Sequence, residues 1–99
     1  MPLSAAKKKH YRSLAHSLHP IVTIAGNGLS ESVNAEIERA LEDHELIKIK
    51  IVFEDKADRK AVVEELNRTH RCETVQQIGK VAVLFRQAKK PSPSKSNLA

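Results

Sequence analysis

Two groups of residues in this 99-residue chain could do chemistry by their type and spacing. The first is the stretch Ala25-Gly26-Asn27-Gly28, which follows the β-prone run Ile21 to Ile24 and precedes Ser30. A loop between a strand and a helix presents backbone N–H groups at the positive end of the helix dipole, where a phosphate is readily held. Glycine lets the backbone approach a ligand without an intervening Cβ, and Asn27 tolerates left-handed geometry and can donate a hydrogen bond. The same spacing serves a bare β-to-α turn, and spacing alone leans slightly to the turn. It is neither a Walker motif nor a dinucleotide fingerprint. The second group is basic: Lys7, Lys8, Lys9 and Arg12 in the first segment, Lys80 and Arg86 near the end, then Lys89, Lys90 and Lys95.

Charge is segregated along the chain. Met1 to Ser30 carries four bases and no acid, Glu31 to Glu73 carries twelve acids and eight bases, and Thr74 onward carries five bases and no acid. The net charge is +5. If the two ends of the fold lie together they form a positive face, and a positive face attracts polyanions, most often nucleic acid.

Other constellations offer no chemistry. The histidines His10, His16, His19, His44 and His70 invite a metal reading. However, His16 and His19 stand beside the helix-breaking Pro20, and Cys72 has no partner at zinc spacing, so no metal site and no cofactor are expected. His16 and His44 are expected to pack or cap helix ends, with the other histidines solvated. Glu64 and Glu65 are adjacent and point apart on a helix. No Ser-His-Asp or Cys-His arrangement stands out, and no catalysis is expected.

The positioning elements read as follows. Ser4 caps a helix over Ala5 to Leu18, with Tyr11, Leu14, Ala15 and Leu18 on one apolar stripe and the basic residues mostly off it. Pro20 ends it. Ile21 to Ile24 is a short strand, apolar enough to be buried on both faces. Ser30 caps a second helix to about Asp43, with Val33, Ile37, Ala40 and Leu41 inside and Glu38, Glu42 and Glu45 on the wet side. In Leu46 to Phe53, Ile47, Ile49, Ile51 and Phe53 share one face, while Lys48 and Lys50 share the other, read as solvated or with stems packed under helices. Asp55 caps a third helix to about Thr69, with Ala61, Val62 and Leu66 as core contacts. Thr74 to Ile78 and Val81 to Phe85 form a hairpin turning at Gly79-Lys80.

The expected fold is a single α/β (α+β) domain, α-β-α-β-α-β-β, with a mixed four-stranded sheet whose strand order the sequence leaves open. Residues 1–86 form the domain. Residues 87–99, rich in Pro, Ser and Lys, are expected to be a flexible basic tail. No apolar run approaches the roughly 20 residues of a membrane span. No secretory signal is evident and one cysteine fits a reducing compartment, so a soluble, cytoplasmic protein is expected; a monomer is expected as well.

The stretch "SLAHSLHPIVTIAGNGLSESVNAEIERALEDHELIKIKI", with the later "IGK…L.R" hairpin, resembles the YhbY family of bacterial RNA-binding proteins, whose domain is also called the CRM (chloroplast RNA splicing and ribosome maturation) domain. The resemblance covers about Leu3 to Arg86. It implies a fold similar to the C-terminal domain of translation initiation factor three, and association with precursors of the large ribosomal subunit during assembly. The family loop is usually GxxG. Here Ala25 stands at the first glycine, so Gly26, Asn27 and Gly28 carry the loop's role and Ala25 only a position. With these residues, Lys7, Lys8, Lys9 and Arg12 are expected to bind RNA phosphates, with Lys80 and Arg86 extending the surface. Few aromatics are present, so binding should be mainly electrostatic. Two other functions remain open: a binder of mature ribosomes, and a protein-interaction module using the acidic helices.

Overall fold

The structure is a computed structural model that describes residues 3–26 and 28–98. Three helices and four strands follow in the order α1 (Ala5–Ala15), β1 (Pro20–Ile24), α2 (Glu31–His44), β2 (Leu46–Ile51), α3 (Lys56–His70), β3 (Glu73–Ile78) and β4 (Val81–Phe85). The expected element order is the observed one.

Each helix begins where a side chain can take up an orphaned backbone N–H. Ser4 Oγ accepts from Lys7 N at 3.1 Å, Ser30 Oγ from Val33 N at 3.2 Å, and Asp55 Oδ1 from Ala57 N at 2.7 Å. Helix α1 stops at Ala15, short of the expected Leu18. His16 N–H bonds to Ser13 carbonyl and Ser17 Oγ to Leu14 carbonyl, so side-chain and tight-turn bonds replace the last helical turn. Helix α3 buries Val63, Leu66 and His70, while Ala61 is exposed. Those three fall at i, i+3 and i+7; of the expected contacts Leu66 is among them and Val62 packs against the same cluster.

The sheet order is β1-β2-β4-β3. β1 runs parallel to β2, and β2–β4 and β4–β3 are antiparallel. The two hydrophobic central strands carry the core, and β1 is an edge. That corrects the expectation for Ile21 to Ile24. Val22 and Ile24 face α2 and are buried, but Thr23 is exposed and Ile21 is 48% exposed on the other face, where α1 packs on β2 and β3. Pro20 opens this edge strand, where its missing N–H costs no ladder bond.

Side-chain alternation divides the core in two. Ile47, Ile49 and Ile51 of β2 pack with Ile37 and Leu41 of α2 and with Val63 and Leu66 of α3. Leu46 points to the other face, where Ala15, Val75 and Val83 join it and Tyr11, Leu14, Leu18 and Phe85 pack around them. The sheet therefore lies between α1 on one side and α2 with α3 on the other. Each fully buried Ile or Leu contributes roughly 1.5–3 kcal/mol relative to exposure. Phe53 lies beyond the end of β2 and packs against the larger cluster.

The segment after Phe85 does not hang free, as its composition suggested. Glu45, the C-cap of α2, is a buried acid with a positive φ of 63°. Its carboxylate accepts from Ala88 N at 2.8 Å and from Ser96 Oγ at 2.7 Å. Asn97 N–H bonds to His44 carbonyl, Asn97 Nδ2 donates to Leu46 carbonyl at 2.6 Å, and Leu98 joins the α1-side cluster. The tail is too polar to bury much apolar surface, but it supplies the hydrogen bonds that a buried carboxylate requires. Glu45 is thus not on the wet side of α2.

Candidate nucleic-acid interface

The loop after β1 lies at the sheet end where β2 finishes. Ile24 pairs with Ile51, and Ile24 carbonyl accepts from Val52 N–H. The hairpin turn closes the same end, since Ile51 N–H bonds to Lys80 carbonyl at 2.6 Å. Within the loop, Gly28 N–H bonds to Ala25 carbonyl at 2.6 Å, and Gly28 has φ +63°. A side chain there would be strained, although a Cβ would meet nothing within 4 Å. Gly26 has no positive φ, and Ala25 is not among the described non-glycine residues that do, namely Glu45 and Arg71. The alanine that replaces the first family glycine therefore occupies an ordinary backbone conformation. Asn27 lies outside the described residues.

Helix α1 covers the opposite end of the sheet. Tyr11 lies 5.0 Å from Phe85, ring centroid to centroid, and Leu3 N–H donates to Glu73 Oε1 at 2.8 Å. Phe85 pairs with Leu46 and with Glu73, so this rung is the far end from the loop. Between the helix and the loop, part of the sheet face is open. From Lys48, which lies beside Arg12 and His16 along one groove, to Ile51 is three residues, roughly 10 Å at about 3.3 Å each. Lys7, Lys8, Lys9 and Arg12 are carried on α1, and Arg12 borders that groove. They stand along one margin of an open strip, and the loop stands at its other end.

Of these bases, Lys7, Lys9 and Arg12 are exposed and Lys8 half-buried. Lys8, Arg12 and His16 fall at i, i+4 and i+8, on one stripe of the helix. Within the strip stand Lys48, half-buried, and Lys50, exposed. The reading of these two as a solvated face with packed stems describes their burial, but their neighbours place them between α1 and the loop. None of these six bases forms an ion pair among the described residues. The acids of α2 and α3 lie on the other side of the sheet.

Lys80 and Arg86 are placed differently. Lys80 is at the loop end, with Nζ 2.7 Å from Glu54 Oε1, and that bond holds the Glu54 carboxyl below the usual carboxylate range. Arg86 does not join the basic strip. Its side chain is 13% exposed, with Nη1 2.7 Å from Glu38 Oε2 and Nη2 3.1 Å from Glu42 Oε1. Helix α2 thus turns Glu38 and Glu42 toward a partner, because a guanidinium half-buried at the end of β4 requires compensating charge. His70 belongs to the same cluster and is buried rather than solvated. Its Nδ1 lies 2.9 Å from Glu38 Oε1 and its Nε2 lies 2.9 Å from Asn34 Oδ1. The bonds from His70 and then Arg86 hold the Glu38 carboxyl below its ordinary value. Backbone N–H groups of Lys90 and Lys89 do the same for Glu42.

His44 Nδ1 lies 2.8 Å from Lys95 carbonyl at the end of α2, and His16 is the exposed C-cap of α1. Among the described residues no group of three His, Cys, Asp or Glu side chains could hold a metal ion, and no helix is long and apolar enough to cross a membrane. Burial pushes the Cys72 thiol up to about 11, and its Sγ donates to Leu66 carbonyl at 3.5 Å. It is a packing residue. Sequence reasoning undervalued Lys48 and Lys50 and passed over Gln76 and Ile78 on the same face. The alternation in "LIKIKI" carried part of that signal, but whether α1 reaches far enough to cover the lysines depends on packing.

Comparison with known proteins fits this architecture. Residues 3–86 match the CRS1 / YhbY (CRM) domain model. A Pseudomonas aeruginosa protein named as a probable RNA-binding protein is 44% identical over 99 residues, covering 100% of this chain and 95% of that protein. A Haemophilus influenzae protein named as an RNA-binding protein is 43% identical over 84 residues, covering 85% of each chain. The solution structure of a Staphylococcus aureus protein superposes with a TM-score of 0.78 at 36% identity, covering 90% of this chain and 93% of that one. With the family model matching residues 3–86 and one relative matching nearly end to end, the chain belongs to the CRS1/YhbY (CRM) domain family.

Proposed function

We propose that this protein binds RNA through the α1-side margin and the glycine loop, and that it does so on precursors of the large ribosomal subunit as a non-catalytic assembly factor. The observation that carries the reading is the run of unpaired bases on the α1 side of the sheet. Lys7, Lys8, Lys9, Arg12, Lys48 and Lys50 lack ion-pair partners among the described residues and border one open strip, while the acids of α2 and α3 lie behind it. Unpaired cations on one face give a polyanion a place to release its counterions. Gly26, Asn27 and Gly28 would hold backbone at the far end of the strip, with Lys80 beside them. The names of the relatives support RNA as the partner, and the ribosomal precursor comes from the family resemblance. A soluble cytoplasmic monomer is the form in which the protein would meet that RNA.

The protein-interaction reading is weaker, since Glu38 and Glu42 are engaged with Arg86 and His70 rather than free for a partner. The test is binding to ribosomal RNA fragments across a salt series, with a Lys8→Glu/Arg12→Glu double variant, alongside gradient sedimentation. A steep salt slope, flattened in the variant, with co-migration on large-subunit precursors supports the proposal. Co-migration with mature ribosomes moves the function to translation. Salt-independent binding refutes the electrostatic mechanism.

A further inference from the structure

Between α1 and the sheet runs a groove of about 250 Å³ whose lining includes Arg12, His16, Lys48, Gln76, Ile78 and Val81. Its composition differs from the rest of the basic margin. The floor is apolar: Ile78 and Val81 are cross-strand partners, and Ile78, 65% exposed, is the more exposed of the two exposed large hydrophobic residues among those described. A register shift between Thr74 and Gln76 in β3 turns Gln76 onto this face, opposite Val83. Gln76 is half-buried and lines the groove, so its amide offers a donor and an acceptor group at the edge of the floor. Arg12 and Lys48 stand at the walls with no carboxylate paired to either, and no acid lines the groove.

We propose that this groove seats one unpaired nucleotide of the bound RNA, with its base on Ile78 and Val81, its edge on the Gln76 amide and its phosphate between Arg12 and Lys48. The proposal rests on the RNA-binding reading above and adds to it a reason for selectivity. A phosphate surface alone cannot distinguish one RNA from another. The bases of an A-form duplex are enclosed, and only an unstacked base can lie flat on an apolar floor and offer its edge to an amide. The occupant is therefore a bulge or loop nucleotide, not a paired one. Ile78 and Val81 flank the hairpin turn at the loop end, so one strand can pass from this seat across the end of the sheet toward Gly28.

The test compares two short RNA duplexes of the same sequence, one blunt and one with a single bulged nucleotide, by fluorescence anisotropy. Wild-type protein should prefer the bulged duplex by about tenfold, the size expected of one base seated on apolar surface with its edge hydrogen-bonded. A Gln76→Ala/Ile78→Ser variant changes only groove-facing surface and should lose that preference. It should keep its melting temperature, its affinity for the blunt duplex and its salt slope. In NMR, the Gln76 side-chain amide signals should shift with the bulged duplex and not with the blunt one. Equal wild-type binding of both duplexes overturns the nucleotide seat and leaves the RNA-binding reading standing, as does a variant that retains the preference. Binding of neither duplex overturns both.

Discussion

Arg86 separates a structural base from a binding one. Consider Arg86→Gln, which removes the charge and keeps an amide. The guanidinium sits 13% exposed between Glu38 and Glu42. A hydrogen bond to a charged partner contributes about 1.5–3 kcal/mol when shielded. The Glu38 side chain is 49% exposed, so water recovers part of that on loss of its partner, and solvent screening brings the Arg86–Glu38 contribution to about 1 kcal/mol. The Glu42 contact acts in the same direction. For a domain of this size, 1 kcal/mol lowers the melting temperature by about 4–8 °C. Thermal melts followed by circular dichroism should show that drop. RNA binding measured well below the melt should keep the wild-type salt slope, because the residue contacts carboxylates and not phosphate. An unchanged melt combined with a flattened salt slope would refute the assignment and return Arg86 to the RNA surface.

Three further outcomes are expected. Gly28→Ala should lose about 1 kcal/mol in chemical denaturation, the cost of a Cβ at φ +63°, whereas Gly26→Ala should be neutral or slightly stabilising, since its φ is ordinary and a Cβ meets nothing within 4 Å. Glu38 has a depressed carboxyl in the fold, so its contribution is present above the ordinary value of 4.5 and is lost as pH falls through the lower folded value. Urea midpoints measured from pH 6 down to pH 3 should fall more steeply for wild type than for Glu38→Gln, and parallel curves would count against the His70–Glu38–Arg86 cluster. Cys72, with its thiol pushed up to about 11 by burial, should resist a thiol reagent at pH 8 in the native state and react fully in denaturant. Rapid native labelling would contradict its burial.

Local chemistry carried most of the architecture. Ser4, Ser30 and Asp55 announced three helix starts, and the isoleucine–lysine alternation of β2 announced a strand with two unlike faces, because capping and side-chain period act within a few residues. The loop glycines and the basic first helix were also visible, together with the family they resemble. What local pattern could not decide was which distant groups meet. Glu38, Glu42 and Glu45 read as solvent-facing by helix phase, yet His70, Arg86 and the tail residues Ala88 and Ser96 reach them from 32 to 51 positions away along the chain. Helix α1 packs on β2 and β3, which leaves Ile21 on the outer face of β1 exposed while α2 buries Val22 and Ile24. The packing of α1 on the sheet brought Lys48, Gln76 and Ile78 together along one groove. A sequence fixes which faces of its elements are apolar or charged. Only packing fixes how far each face is covered, and here the uncovered remainder is the candidate site.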